Sequence, residues 1–187
     1  MKQLTYSLAL VLILTTAAHA ETPVPGMMNF TLGGGINMPS GEETQNGYIV
    51  GGGVGYRLTP RLVIGGEVSY LGYGSTDGTS NSIDYSMDQH VFAYGGTARF
   101  FLTEGRTTPY VKGFAGRFNL SFDMTIGNES FGDSYTDMQY GGGIGLMLRG
   151  NSESNLYIEG LFHSLQVEDE SAEVITVTMG MDIDFKL

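Results

Sequence analysis

The chain has 187 residues, no cysteine, 9 basic against 20 acidic side chains and a formal net charge of −11. That balance argues against a nucleic-acid partner, because neutralising phosphates needs a basic face, and the missing cysteines exclude disulfides and thiol chemistry. Three histidines leave little for a metal site, and no metal or cofactor is expected.

Residues 1–20, MKQLTYSLALVLILTTAAHA, read as a cleaved secretory signal peptide. Lys2 gives a short positive start, Leu8–Leu14 an apolar centre, and Ala18-His19-Ala20 a small-x-small cleavage site. The apolar stretch is shorter than the roughly 20 residues a spanning helix needs. Residues 21–187 are expected to form one domain. They contain no apolar run approaching roughly 18 residues, so a membrane could be crossed only by strands.

Eight segments then alternate with period 2, the strand signal. The apolar sets are Met28, Phe30, Leu32, Ile36 and Met38; Tyr48, Val50, Val54, Tyr56 and Leu58; Leu62, Ile64, Val68 and Tyr70; and Phe92, Tyr94, Ala98, Phe100 and Leu102. The second half adds Tyr110, Phe114, Phe118, Leu120 and Phe122; Tyr140, Ile144, Leu146 and Leu148; Leu156, Ile158 and Phe162; and Ile175 to Leu187 at odd positions. Short connections at Leu58–Arg61, Thr103–Thr108 and Gly150–Asn155 alternate with long ones at Pro39–Gly47, Gly74–Asp88, Thr125–Asp137 and Leu165–Glu173. The pattern predicts an all-β fold, an eight-stranded antiparallel up-and-down transmembrane β-barrel, whose even strand number lets the sheet close.

A soluble lipocalin-type barrel would alternate in the same way with its apolar face inward. Three features oppose it. The polar faces are mostly Gly, Ser, Thr and Asn, where a water-facing exterior would carry many more Lys and Glu. The apolar faces carry aromatic residues near strand ends, such as Tyr48, Tyr56, Phe100, Phe101, Tyr110 and Tyr140, as lipid-facing girdles do. The charges are also sorted. The long connections hold Glu42, Glu43, Asp77, Asp84, Asp88, Glu129, Asp133, Asp137, Glu168, Asp169, Glu170 and Glu173 without any Lys or Arg, whereas Arg57, Arg61, Arg106, Arg149 and Lys186 gather at the short-turn end. Lys112 reads as the one charge on an apolar face, placed to snorkel to the interface.

Eight strands enclose a lumen just wide enough for side chains. Glu67, Arg99, Arg117, Glu159, His163, Asp182 and Asp184 are predicted to fill it as paired charges, with Glu67 beside Arg99 and Arg117 facing Glu159. A gated polar path or a buried active site is the alternative use of the same residues. Twelve glycines, Gly33, Gly35, Gly51, Gly53, Gly55, Gly65, Gly95, Gly113, Gly141, Gly143, Gly145 and Gly180, are predicted on the lumen face, making room for the charges. None of the glycine clusters completes a G-x-G-x-x-G or Walker pattern.

The signal peptide, the GYRLTPRLVIGGEVSY hairpin, the TTPYVKGFAG strand start and the closing MGMDIDFKL resemble small outer-membrane β-barrels of the OmpX, opacity-protein and OmpA-barrel type, over essentially all of residues 21–187. The resemblance implies insertion into a Gram-negative outer membrane by the barrel-assembly machinery. It also implies an assembly signal in the last strand, at Thr178, Gly180, Ile183, Phe185 and Leu187. Ile183 stands where an aromatic residue is usual, and Leu187 where the family prefers Phe.

Lipid A deacylase barrels are similar in size and carry a His-x-Ser pair with an acidic residue near the membrane rim. Here FHSL at 162–165 places His163 and Ser164 next to each other, on opposite faces of a strand, and Leu165 where the serine would stand. No enzymatic activity is expected. Expected partners are outer-membrane lipid and lipopolysaccharide, with divalent cations or basic partners at the acidic loops Glu42, Glu43, Asp77, Asp133 and Glu168-Asp169-Glu170. The role expected for the chain, as a monomer, is structural or surface interaction. The alternatives are a carrier of small hydrophobic molecules through a lateral opening at lipid-face glycines such as Gly66 and Gly116, and a lipid A hydrolase.

Overall fold

The computed structural model describes residues 24–40, 46–73, 76–80, 83–126, 129–150, 154–167 and 170–186. The predicted signal peptide, Glu42, Glu43, Glu168, Asp169 and Leu187 lie outside these residues. The strands are β1 (Met28–Pro39), β2 (Gly47–Thr59), β3 (Leu62–Gly72), β4 (Thr76–Ser80), β5 (Ile83–Phe101), β6 (Thr107–Ile126), β7 (Glu129–Arg149), β8 (Ser154–Val167) and β9 (Glu170–Phe185). Both β3 and β4 pair with β5, end to end, so the nine segments make eight staves. Each neighbour is antiparallel, and β1 pairs with both β2 and β9, which closes the sheet.

The register fixes the barrel's shape. Followed strand by strand, the row Arg117, Tyr94, Val68, Gly52, Leu32, Met181, Leu156, Leu148 returns to β6 at Thr107, ten residues below its start. Eight strands with that stagger tilt about 40° from the axis. Each residue therefore climbs about 2.5 Å, and ten of them about 25 Å, the height of an apolar outer band.

Three of the four connections predicted as long loops continue as ladder. Residues 76–80 pair with 83–87, β6 and β7 pair up to Ile126 and Glu129, and β8 and β9 pair up to Val167 and Glu170. Backbone pairing satisfies the N–H and C=O groups of these polar stretches, which lets them stand above the membrane band as hairpins. Asp77 and Glu170 lie in such strands, and Asp133 is exposed on β7.

The outer wall exposes Phe30, Leu32, Val50, Val54, Ile64, Val68, Phe100, Ile144, Ile158 and Met179, as alternation predicted. Strand β6 is the exception. Tyr110, Lys112, Phe114 and Phe118 are buried inside, while Val111, Gly113, Ala115 and Arg117 are exposed outside. The expectation that β6 turns its aromatic residues to lipid is therefore reversed, and Gly113 leaves the lumen set while Gly116 joins it. Phe101, predicted on the girdle, also points in, fully buried with Tyr110. At Gly95 and Gly116 the facing backbones come so close that a Cβ on either would stand 2.6 Å from the other's Cα.

Candidate functional site

Among the described residues the lumen holds four cations, Arg57, Arg99, Lys112 and Arg149, and four carboxylates, Glu67, Glu159, Asp182 and Asp184. Charges removed from water are tolerated when paired and hydrogen-bonded: Arg57, Arg99 and Lys112 are ion-paired, while Arg149 donates to the Glu104 carbonyl at 3.3 Å and lies over Phe101.

The layer nearest the short turns centres on Asp184 at the end of β9. Asn155 donates to its Oδ2 at 3.1 Å, Asn29 to its Oδ1 at 3.3 Å, and Arg57 pairs with it at 3.4 Å. Arg57 and Arg149 lie over the ring of Phe101, each 5.3 Å from its centroid, so the aromatic residue attracts both cations. Val63, Tyr110 and Met147 pack beside Phe101 and close this end.

The next layer is one connected network. Arg99 donates to Asp182 through Nη1 and to Thr31 through Nη2, and Thr31 itself donates to Asp182. Tyr110 lies against the Arg99 guanidinium and donates its hydroxyl to Glu159 at 2.8 Å. Lys112 bridges Glu159 at 2.9 Å and Glu67 at 2.7 Å, and Thr178 adds a donor to Glu159. Two predicted pairs are thus corrected. Glu67 pairs with Lys112 instead of Arg99, and Glu159 also takes Lys112 because Arg117 faces out. Arg99 and Lys112 sit directly opposite on β5 and β6, and each finds separate acids.

Above this lies a small cavity of about 20 Å³, lined by Ile49, Phe114 and Leu161 as well as by Glu67, Gln139 and His163, with room for a single water. The Gln139 amide nitrogen donates to His163 Nδ1 at 2.7 Å, and His163 Nε2 donates to Thr176 at 3.1 Å. His163 is committed to Gln139 and Thr176 inside the lumen, and Ser164 beside it is also buried. The upper end is then sealed by Ile49, Leu71, Val91, Ala93, Phe118, Leu165 and Val174, with Tyr73, Leu120 and Tyr135 against them.

Of the predicted lumen residues, Glu67, Arg99, Glu159, His163, Asp182 and Asp184 are brought together, and Arg117 is not. Sequence reasoning missed Lys112 and Tyr110, although a charge in the middle of a membrane strand was itself a signal that its side faces inward. In the last strand, Thr178 contacts Glu159, Gly180 faces Gly33, and Ile183 and Phe185 are half-buried on the outer side. The exposed hairpins carry Asp88, Asp123, Glu129, Asp133 and Glu173, with Asp88 directly opposite Asp123. Among the described residues no three His, Asp or Glu side chains group closely enough to hold a metal.

A family model described as the outer membrane protein beta-barrel domain matches residues 6–184. No curated protein matches the sequence. Among solved structures, Neisserial surface protein A superposes with a TM-score of 0.65 at 13% identity, covering 90% of this chain and 100% of that one. The attachment invasion locus protein Ail of Yersinia pestis gives 0.55 at 15%, covering 87% and 100%. The N-terminal barrel of Pseudomonas aeruginosa OprF gives 0.50 at 14%, covering 87% and 100%. At these identities the likeness is one of fold. The apolar outer wall, the charge-filled closed lumen and the family match lead to one conclusion: the chain belongs to the outer-membrane β-barrel domain family and spans the outer membrane with surface-exposed loops.

Proposed function

We propose that the protein is a non-conducting, non-catalytic outer-membrane barrel that acts at the cell surface through its acidic hairpins. The observation that carries this reading is the occlusion of the lumen at both ends, by Phe101, Tyr110 and Met147 below and by Phe118, Val91 and Leu165 above. A path for ions or solutes would have to break both seals and the ion-pair layer between them. Strand pairing round the whole wall favours the surface role over a lateral carrier role. The lumen hydrogen bonds of His163 favour a packing role for it over a hydrolytic one.

The excess of carboxylates on the hairpins selects basic partners or divalent cations. The terminal strand, with Thr178, Gly180, Ile183 and Phe185, serves as the recognition strand for barrel assembly. The decisive test is single-channel recording of the purified protein in planar bilayers. No steady conductance is expected, and large, stable open currents would overturn the reading. Binding of a cationic peptide to whole cells, lost when Asp88, Asp123 and Asp133 are changed to Asn, tests the surface role.

A further inference from the structure

We propose that the outer wall below Arg117 is a docking site for phosphorylated lipid A, with the guanidinium taking a phosphate and the wall an acyl chain. Among the described residues Arg117 is unlike every other cation. Arg57, Arg99, Lys112 and Arg149 turn into the lumen, and Arg61, Arg106 and Lys186 belong to the short-turn end. Arg117 is exposed on the outside of β6, between Tyr94 of β5 and Met138 of β7. It is in none of the ion pairs of the described residues, and Asp137 acts on it only through space.

Its level is fixed by the register. Arg117 stands ten residues above Thr107 on the same strand, about 25 Å higher and therefore at the upper edge of the apolar band. Above it the outer side of β6 turns polar, with Asn119, Ser121 and Asp123. This is the depth of outer-leaflet phosphates, and the surrounding exposed charges are carboxylates, which repel them. A guanidinium is suited to bind phosphate through paired, charge-assisted hydrogen bonds.

The wall beneath is shaped for a chain. The row from Arg117 through Tyr94 and Val68 to Gly52 descends as it crosses the tilted strands. Around Gly52 and Gly66 it opens a shallow groove of about 830 Å³, walled by Leu32, Val68, Phe92 and Tyr94. The groove begins one strand from the cation and runs deeper into the apolar band, which is the relation of an acyl chain to its phosphate.

Native mass spectrometry of the full-chain barrel refolded in detergent tests the site, using diphosphorylated lipid A and the same lipid with both phosphates removed. The wild-type protein is expected to bind the phosphorylated form about tenfold more tightly. Arg117→Gln removes that preference and Arg117→Lys keeps part of it. Gly66→Leu fills the groove and weakens both lipids; a Cβ there meets only Gly95 O, at 3.7 Å, so the backbone need not move. The heat-dependent gel shift of each variant confirms that it is folded. Equal binding of the two lipids by wild type, or a preference unchanged in Arg117→Gln, overturns the site. So does a groove variant with unaltered binding, or a lipid-free dimer that Gly66→Leu dissociates.

Discussion

The lower and upper parts of this barrel are packed in opposite senses. Within the membrane band the exterior is apolar, Leu32, Val54, Ile64 and Ile144, and the interior holds Asp182, Arg99, Glu159 and Lys112. At the upper end the interior is Phe118, Val91, Leu71 and Leu165, and the exterior of β5 to β7 becomes His90, Asn119, Ser121 and Thr136. The change occurs at Arg117, where β6 leaves the lipid. Each level turns toward its surroundings the side chains that those surroundings solvate, and its lumen takes what is left. Burial in the lower lumen is stabilised by ion pairing and in the upper lumen by apolar packing, so the two should respond differently to the same kind of substitution.

The largest effect is expected from breaking the lower network at its bridge. Lys112→Met leaves Glu67 and Glu159 without the cation that bridges them, and should destabilise the barrel by about 3–5 kcal/mol. Urea titration in detergent micelles, followed by far-UV circular dichroism and by gel shift, measures it. A variant as stable as wild type would mean that the lumen is wet enough to solvate both carboxylates. Phe118→Ala in the upper seal should cost about 3 kcal/mol by leaving a cavity among apolar side chains. The comparison sharpens with salt. The lower network is screened little because it is buried, so neither midpoint should rise or fall much between low and moderate ionic strength. Tyr110→Phe keeps the shape and deletes one donor to Glu159, for an expected loss of about 1.5 kcal/mol.

Most of this architecture was legible in the residues. Alternation placed the eight staves and, on seven of them, the correct face, because lipid outside and a narrow lumen inside demand opposite chemistry at successive positions. The acidic lumen partners were legible too: Glu67, Glu159 and Asp182 fall at inward parity on strands whose other face is plainly apolar. Strand β6 misled because both of its faces are compatible with lipid, one aromatic and the other built of Val111, Gly113 and Ala115. Hydrophobicity could not choose between them, and the aromatic set was the stronger signal. The electrostatic argument would have chosen correctly. Lys112 lies near the middle of the strand, where a cation facing lipid costs about 2–4 kcal/mol, whereas Arg117 lies near the interface, where the cost falls to about 0–1 kcal/mol. The ion-pair partners were not legible, because pairing depends on the reach of side chains across the lumen as well as on neighbouring strands. Nor were the hairpin extensions, since polar residues disguise strands that stand in water.

Arg117 supplies the smallest expected effect and the most direct check on the orientation of β6. If the strand were turned as its aromatic residues suggest, Arg117 would be a buried partner of Glu159, and replacing it would cost as much as replacing Lys112. In the observed arrangement its side chain meets only the membrane boundary, so Arg117→Met should change stability by no more than about 0.5 kcal/mol. The two substitutions remove one positive charge each from the same strand, five residues apart, so net charge and strand propensity are nearly matched between them. A difference of severalfold in their effect on the urea midpoint therefore reports which face each side chain occupies. Equal effects would reverse the strand.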